Sequence, residues 1–290
     1  MMRLLLLCLA LAACSPSPSG QTSELKIGVL EDRPGANTQE QPRFVVRAAF
    51  HKADGVWRAY EATGGAAAFP RVQDWTIAFQ GEAIGQLRTQ TPGSWPLAAD
   101  VGRMDITGGE VPTRGERSDT FAGWTDAPVY RPLIAVSAAN VADPQQWTAL
   151  RPTASAIESA RRVFRTRFAD VQNCADGSSP PAPFTYTDAQ IQSGDGYFST
   201  DGWSVVTLHL ADHGCDGPLS GTAFNEQVFA VSRSGDTVYL GEGLIFVDAG
   251  DYDGDGKSEV IFAIDRYNEG GYALFWSDFD QHADFIFSYH

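Results

Sequence analysis

The chain has 290 residues and carries 36 Asp and Glu against 21 Lys and Arg, which gives a net charge of −15 at neutral pH. This acidity argues against nucleic acids and anionic membrane surfaces as partners, because both repel a negatively charged protein. Divalent cations are the better match.

Residues 1–13 predict a lipoprotein signal peptide. A short basic start at Arg3 precedes an apolar stretch, residues 4–11, that is too short to span a bilayer. Leu11-Ala-Ala-Cys14 then has the small-residue pattern of a secretory cleavage site. This pattern resembles the bacterial lipobox, and the resemblance implies cleavage before Cys14 and acylation of its thiol. An ordinary signal peptide with an unrelated cysteine is the alternative.

The residue after Cys14 is Ser15 and not Asp. In Gram-negative lipoproteins, which this signal resembles, that choice implies transport to the outer membrane, on its periplasmic or its outer face. Residues 14–24 are polar and punctuated by proline, so they predict a flexible tether that does not pack. We therefore expect membrane contact through the lipid anchor alone.

Most of the remaining chain predicts short β-strands. Three segments share the order of apolar strand, small polar turn and second strand that is typical of a β-hairpin. Their turns lie at Asp54-Gly55, at Gly81 and at Ser234-Gly235. The predicted strand pairs are 43–50 with 56–60, 75–79 with 84–88, and 227–231 with 237–240.

These hairpins predict a mainly β fold, either β-propeller-like or built from two packed antiparallel β subdomains. Their spacing is irregular, so it does not define a number of blades. We divide the mature chain into an N-terminal β region (25–150), a connecting helix (151–170) and a C-terminal β region (171–290).

One α-helix is predicted near residues 153–168. Ser155-x-x-Glu158 fits a capping box. Apolar residues follow at helical spacing, and the polar face carries four arginines, for which we expect salt bridges with neighbouring carboxylates; binding of a phosphate or acidic ligand is the alternative. The apolar residues are Ile157, Ala160, Phe164 and Phe168, and the arginines are Arg161, Arg162, Arg165 and Arg167.

Cys174 and Cys215 are expected to form a disulfide. Cys8 leaves with the signal and Cys14 carries the lipid, so these two remain as an even pair in an oxidising compartment. Two buried thiols or a pair of metal ligands are the alternatives.

Residues 251–260 predict a calcium site. Three aspartates alternate along DYDGDGKSEV and a fourth carboxylate follows. Calcium prefers such hard oxygen ligands, and Gly254 and Gly256 allow the backbone to curl around an ion. Four negative charges in nine residues would repel one another without a counter-ion. The expected ligands are the side chains of Asp251, Asp253, Asp255 and Glu259 and the main-chain carbonyl of Lys257.

The flanks of this loop read as strands, at 243–247 and 260–264. The twelfth loop position is Phe262, where a helix–loop–helix calcium hand needs a glutamate. The loop instead resembles the FG-GAP or VCBS-type repeat, the calcium loop of integrin-like β-propellers. Asp251, Asp253 and Asp255 match the repeat, whereas Glu259 stands where the repeat has aspartate. The resemblance implies calcium binding and a propeller-like scaffold.

Signals for catalysis are few. The sequence lacks the common nucleophile and metalloprotease motifs, and its best enzymatic constellation is His209, Asp212, His213 and Asp216. Seven tryptophans could form a carbohydrate platform, although a β-rich core normally uses most of them. We expect a calcium-stabilised cell-envelope lipoprotein that acts as a non-catalytic binding or scaffold module for an unidentified protein or glycan. The alternative is a hydrolase or carbohydrate-active protein on a β-propeller-like scaffold.

Overall fold

The computed structural model describes residues 24–33, 43–93, 98–112, 120–122, 128–172, 182–211 and 225–289. These residues are mainly β with one α-helix, as the sequence predicts. Ten strands precede the helix: β1 (Lys26–Arg33), β2 (Arg43–Ala53), β3 (Val56–Ala59), β4 (Gln73–Phe79), β5 (Glu82–Thr89), β6 (Arg103–Gly109), β7 (Thr120–Ala122), β8 (Pro128–Tyr130), β9 (Leu133–Val136) and β10 (Thr148–Ala149).

The helix, α1, spans Ala154–Arg167 and is followed by ten more strands. They are β11 (Val171–Gln172), β12 (Pro183–Phe184), β13 (Ile191–Phe198), β14 (Ser204–Leu210), β15 (Gln227–Val231), β16 (Thr237–Glu242), β17 (Leu244–Gly250), β18 (Glu259–Arg266), β19 (Glu269–Trp276) and β20 (Gln281–Ser288). Short 3-10 turns lie at Ala62–Ala68, Ala98–Asp100 and Asp188–Gln190.

Six strands of the N-terminal region form a closed sheet. Their order is β1-β9-β4-β5-β6-β2, and β2 pairs again with β1, so the sheet returns to its first strand with antiparallel pairing throughout. The predicted hairpins of this region are confirmed as β2–β3 and β4–β5. In the first, Asp54 and Gly55 both have positive φ, at 53° and 79°, as a two-residue hairpin turn of primed type requires.

The C-terminal region forms two antiparallel sheets, one of which also includes β10 of the N-terminal region. One has four strands in chain order, β17 to β20, and the other has the order β10-β13-β14-β15-β16. The third predicted hairpin is confirmed as β15–β16. Two further strand pairs, β7–β8 and β11–β12, stand apart from these sheets.

The four-stranded sheet is the middle layer of the molecule. Successive side chains of a strand point to opposite faces, and here both faces are buried. Val247, Ile261 and Leu274 pack into the core of the closed sheet. Phe246 and Phe262, one position away in their strands, pack instead against the five-stranded sheet.

The helix covers the far side of the five-stranded sheet. Ala160 and Phe164 of α1 pack on Val206 of β14 and Phe229 of β15. The layers therefore follow the order closed sheet, four-stranded sheet, five-stranded sheet, helix. Two forms of the fold were predicted, a β-propeller and packed antiparallel β regions. The described strands form packed antiparallel sheets, and no ring of four-stranded blades is present among them.

A buried ionic cluster joins the closed sheet to the middle sheet. Arg47 is fully buried and its Nε donates to Glu31 Oε1 at 2.5 Å. Tyr272 of β19 donates its hydroxyl to the same oxygen at 2.9 Å. Burial alone would raise the pKa of Glu31, but Arg47 and Arg103 outweigh it and hold that pKa below its ordinary value. Glu31 is therefore a charged bridge between two layers.

The predicted helix agrees with α1 to within a residue at each end, but the predicted cap is wrong. Thr153 has an extended backbone and its hydroxyl accepts from Ala156 N at 3.2 Å, so Thr153 is the N-cap. Ser155 lies inside the first turn and cannot fill that position. No helix in the described part of the chain is both long and apolar enough to cross a membrane.

The arginines of α1 differ in their partners. Arg165 donates to Asp188 and Glu158, as expected for surface salt bridges. Arg161 instead donates to the Ile191 carbonyl at 2.8 Å, and Arg167 lies over the ring of Tyr239.

The assignment of Thr153 as the N-cap predicts that removing its hydroxyl destabilises the protein more than removing that of Ser155. Thr153→Ala should lower the free energy of unfolding by about 1 kcal/mol, because it removes the acceptor of an end N–H group. Ser155→Ala should change it by less than about 0.5 kcal/mol, as for most surface substitutions. Urea unfolding of the two variants measures this, and an equal loss in both would contradict the assignment of the cap.

Candidate metal site

The acidic loop joins β17 to β18 at one end of the middle sheet. It is a strand–loop–strand connection, as predicted. Gly254 and Gly256 have φ values of 78° and 90°, in the left-handed region that favours glycine. The space where a Cβ would stand is open at both positions. Glycine is therefore needed for backbone conformation, not for close packing.

Three of the predicted ligands meet in the structure. Asp251, Asp253 and Glu259 can each place a carboxylate oxygen within 4.8 Å of the other two. Among the described residues, this is the one group of three or more His, Cys, Asp or Glu side chains that could hold a metal ion. Asp251 is 8% exposed and Glu259 is 2% exposed. The cluster is thus largely withdrawn from water.

The other two predicted ligands are not part of this cluster. Asp255 lies at the exposed tip of the loop, and its Oδ1 accepts from Lys257 N at 2.8 Å. The ammonium group of Lys257 points away from the cluster and bonds Asp278. Participation of the Asp255 carboxylate and of the Lys257 carbonyl stays a prediction.

Hydrogen bonds to the aspartates hold the curl of the loop. Asp251 Oδ1 accepts from Asp255 N at 2.9 Å, and its Oδ2 accepts from Gly256 N at 3.0 Å. Asp253 Oδ1 also accepts from Asp255 N, at 3.1 Å. The backbone therefore wraps around the carboxylates, which brings their oxygens together.

Glu259 is the most deeply buried acid of the site. Its Oε2 accepts from Tyr252 N at 2.8 Å and its Oε1 from Trp57 Nε1 at 3.2 Å. Burial, and next to it the negative charge of Asp253, raise the pKa of Glu259 to about 8. A positive charge close to Glu259 would therefore stabilise its ionised carboxylate.

Asp253 behaves in the opposite way because it has a cationic partner. Its side chain is 3% exposed, and the ammonium of Lys52 donates to its Oδ2. Burial would raise the pKa of Asp253, but the hydrogen bond from Lys52 outweighs it and lowers that pKa. The site thus already contains a positive group.

Lys52 and Trp57 both belong to the β2–β3 hairpin of the closed sheet. The Lys52 ammonium lies 5.7 Å from the centre of the Trp57 ring. Sequence reasoning missed both residues, because they lie about 200 positions before the loop and no local pattern distinguishes them from other hairpin residues. Long-range pairing alone brings them to the acids.

A second anchor fixes the loop to the segment between β9 and β10. Asp251 N donates to the Ala142 carbonyl at 2.7 Å, and Asn140 Nδ2 donates to the Asp251 carbonyl at 3.1 Å. On the other side of the loop, Ser258 Oγ donates to Asp143 Oδ1 at 2.6 Å. The loop is therefore held by the closed sheet and by the chain that leaves it.

The donor set fits a hard divalent cation. All three clustered groups are carboxylates, which suit calcium or magnesium, and the flexible geometry of calcium tolerates water and main-chain oxygens as further ligands. The Lys52 ammonium already offsets part of the negative charge at Asp253. In a bound state, Asp251, Asp253 and Glu259 would supply the charged oxygens.

Other predicted features contribute less to a site. Trp57, Trp75 and Trp147 are buried in the cores, as expected for structural tryptophans, while Trp95 and Trp124 lie outside the described residues. Also outside them are His213, Asp212 and Asp216, the lipidation residue Cys14, and the predicted disulfide partners Cys174 and Cys215.

Comparison of the chain with protein-family models, curated proteins and solved structures finds no match.

Glu259 predicts how stability changes with pH once divalent ions are chelated. Its folded pKa of about 8 lies above its ordinary value of 4.5, so between these values the folded state holds a proton that the unfolded state has released. The contribution to the free energy of unfolding is full below pH 4.5 and falls as pH rises, by at most about 1.4 kcal/mol per pH unit.

Urea unfolding between pH 5 and about pH 8 measures this slope. Glu259→Gln should remove it, because the amide does not titrate. Despite burial, the pKa of Asp253 is lowered, chiefly by the hydrogen bond from Lys52, so Asp253 supplies the negative charge that helps to raise the pKa of Glu259. The same slope in wild type and variant would show that Glu259 is not its source.

Proposed function

We propose that the protein is a calcium-stabilised lipoprotein of the cell envelope that acts as a non-catalytic binding or scaffold module. The proposal of calcium binding rests on one observation: the carboxylates of Asp251, Asp253 and Glu259 lie close together in a largely buried position between two layers of the fold. The lipid anchor and the envelope location rest on the Leu11-Ala-Ala-Cys14 pattern.

The position of the loop supports a structural role for the ion. The loop contacts the closed sheet through Lys52 and Trp57, and the segment after that sheet through Ala142 and Asp143. A divalent ion would neutralise the carboxylates that these contacts bring close together. Its binding energy would thus stabilise the junction between the closed sheet and the middle sheet.

The chemistry of the donors favours calcium over the transition metals. Carboxylate oxygens are hard ligands, whereas zinc and copper favour imidazole and thiolate groups. Calcium also accepts six to eight ligands at variable distances, which suits a site whose closing residue is Glu259 in place of the aspartate of the FG-GAP repeat.

Calcium should raise the thermal stability of the protein. At a calcium concentration of about 100 times the dissociation constant, the gain in free energy of unfolding should be about 2.7 kcal/mol. Asp253→Asn should abolish most of this gain, because it removes a charged oxygen from the cluster. Thermal melts with calcium, magnesium or chelator measure the effect.

Asp74→Asn is the matched control for that variant, because it removes the same charge from an exposed residue on β4. Its calcium response should equal that of wild type. Asp255→Asn tests the predicted fourth carboxylate and should weaken calcium binding less than Asp253→Asn. A wild-type melting temperature that is the same in calcium and chelator would refute the calcium site.

The anchor has its own test. Intact mass of the protein from the membrane fraction should show a diacyl or triacyl addition at Cys14. Cys14→Ser should leave the protein without lipid and with its signal uncleaved by the lipoprotein pathway. Cys8→Ser, in the same signal, is the control and should be processed normally. A mature N-terminus at any residue other than Cys14 would end this assignment.

A further inference from the structure

Lys52 occupies an unusual position for a charged residue. Along β2 its side chain shares a face with Phe50, which is fully buried in the core of the closed sheet. A lysine on such a face is costly unless its charge is paired. The pairing is supplied by Asp253 of the acidic loop, and the side chain of Lys52 is only 22% exposed.

The backbone and the ring of Trp57 hold Lys52 in place. The main-chain N–H of Lys52 donates to the Leu25 carbonyl at 2.8 Å, and Lys52 stands opposite Trp57 in the β2–β3 pairing. Trp57 in turn donates to Glu259. The hairpin therefore brings one cation and one neutral donor to the same acidic cluster.

The ammonium group and a divalent ion would compete for this cluster. Asp253 Oδ2 already accepts from Lys52, and its Oδ1 accepts from the loop backbone. A doubly charged ion bound to the same carboxylate would lie within a few ångströms of the ammonium, where like charges repel strongly at the reduced dielectric of a buried site. The lysine stem is long and flexible enough to carry its ammonium out to water.

We propose that the Lys52 ammonium is a resident cation of the acidic site, which a divalent ion must displace from Asp253, so that Lys52 determines the metal affinity. This inference rests on the proposed calcium function. It adds that metal binding exchanges the ion pair between Lys52 and Asp253 for contacts between the metal and the carboxylates of the loop. The affinity of the site is then a property of two distant segments, not of the loop alone.

Calcium titration by calorimetry on the purified full-length chain tests the exchange. Lys52→Met should bind calcium at least about tenfold more tightly than wild type, equivalent to about 1.4 kcal/mol. Lys52→Arg keeps the positive charge and should stay close to wild type. Lys26→Met is the matched control, because Lys26 lies on the neighbouring strand β1 and pairs with Glu24 instead of the loop; it too should bind like wild type.

A second measurement uses the wild-type protein and so does not depend on how the variants fold. Calcium should speed the labelling of the Lys52 amine by an acylating reagent, read by peptide mass, because the displaced ammonium enters water. Lys26, which lies outside the loop and pairs with Glu24, serves as the internal reference. An unchanged Lys52 labelling rate in calcium-bound protein would overturn the exchange.

The outcomes separate the two proposals. If wild type binds calcium and Lys52→Met binds equally or more weakly, displacement is wrong while the calcium function stands. If Lys52→Met binds calcium and wild type does not, Lys52 is the permanent counter-ion of the acidic site. That result would support competition between Lys52 and calcium, and it would refute calcium binding by the wild-type protein. Lack of binding in both proteins would refute both proposals.

Discussion

Burial of the four-stranded sheet on both faces is the constraint that the rest of the structure depends on. One face completes the core of the closed sheet and the other completes the core of the five-stranded sheet. Since neither neighbour buries its apolar residues without this layer, the regions cannot be separated without exposing both cores. The sheet also explains why β17 and β18 read as continuous apolar runs, in contrast to the alternation of a strand with one wet face.

The same constraint sets the chemistry of the acidic loop. A loop at the end of a doubly covered sheet is partly shielded from water, so its backbone N–H groups need internal acceptors. The aspartates supply them, since Asp251 alone accepts from Asp255 N and Gly256 N. Those carboxylates then share a poorly hydrated space with Glu259, and this desolvation makes a cation favourable there.

Local chemistry made much of this architecture predictable. The hairpins follow from apolar runs on either side of short polar turns, and the loop follows from its aspartates and glycines. The helix follows from the spacing of Ala160 and Phe164, although Thr153, and not Ser155, caps its N-terminus. Closure of the first sheet was not predictable, because the pairing of β1 with β9 joins segments more than 90 residues apart that no turn connects. The role of Lys52 was not predictable for the same reason, because Lys52 lies about 200 residues before Asp253.

The distance along the chain between the two halves of the site has a consequence for biogenesis. Trp57 and Lys52 are synthesised early, whereas Asp253 and Glu259 come about 200 positions later. Closing so long a loop is among the slow steps of folding, since the entropy of loop closure must be lost before the non-local contacts form. A nascent or clipped chain therefore lacks the complete site, and occupancy by the ion would mark those molecules in which the first and last layers have come together.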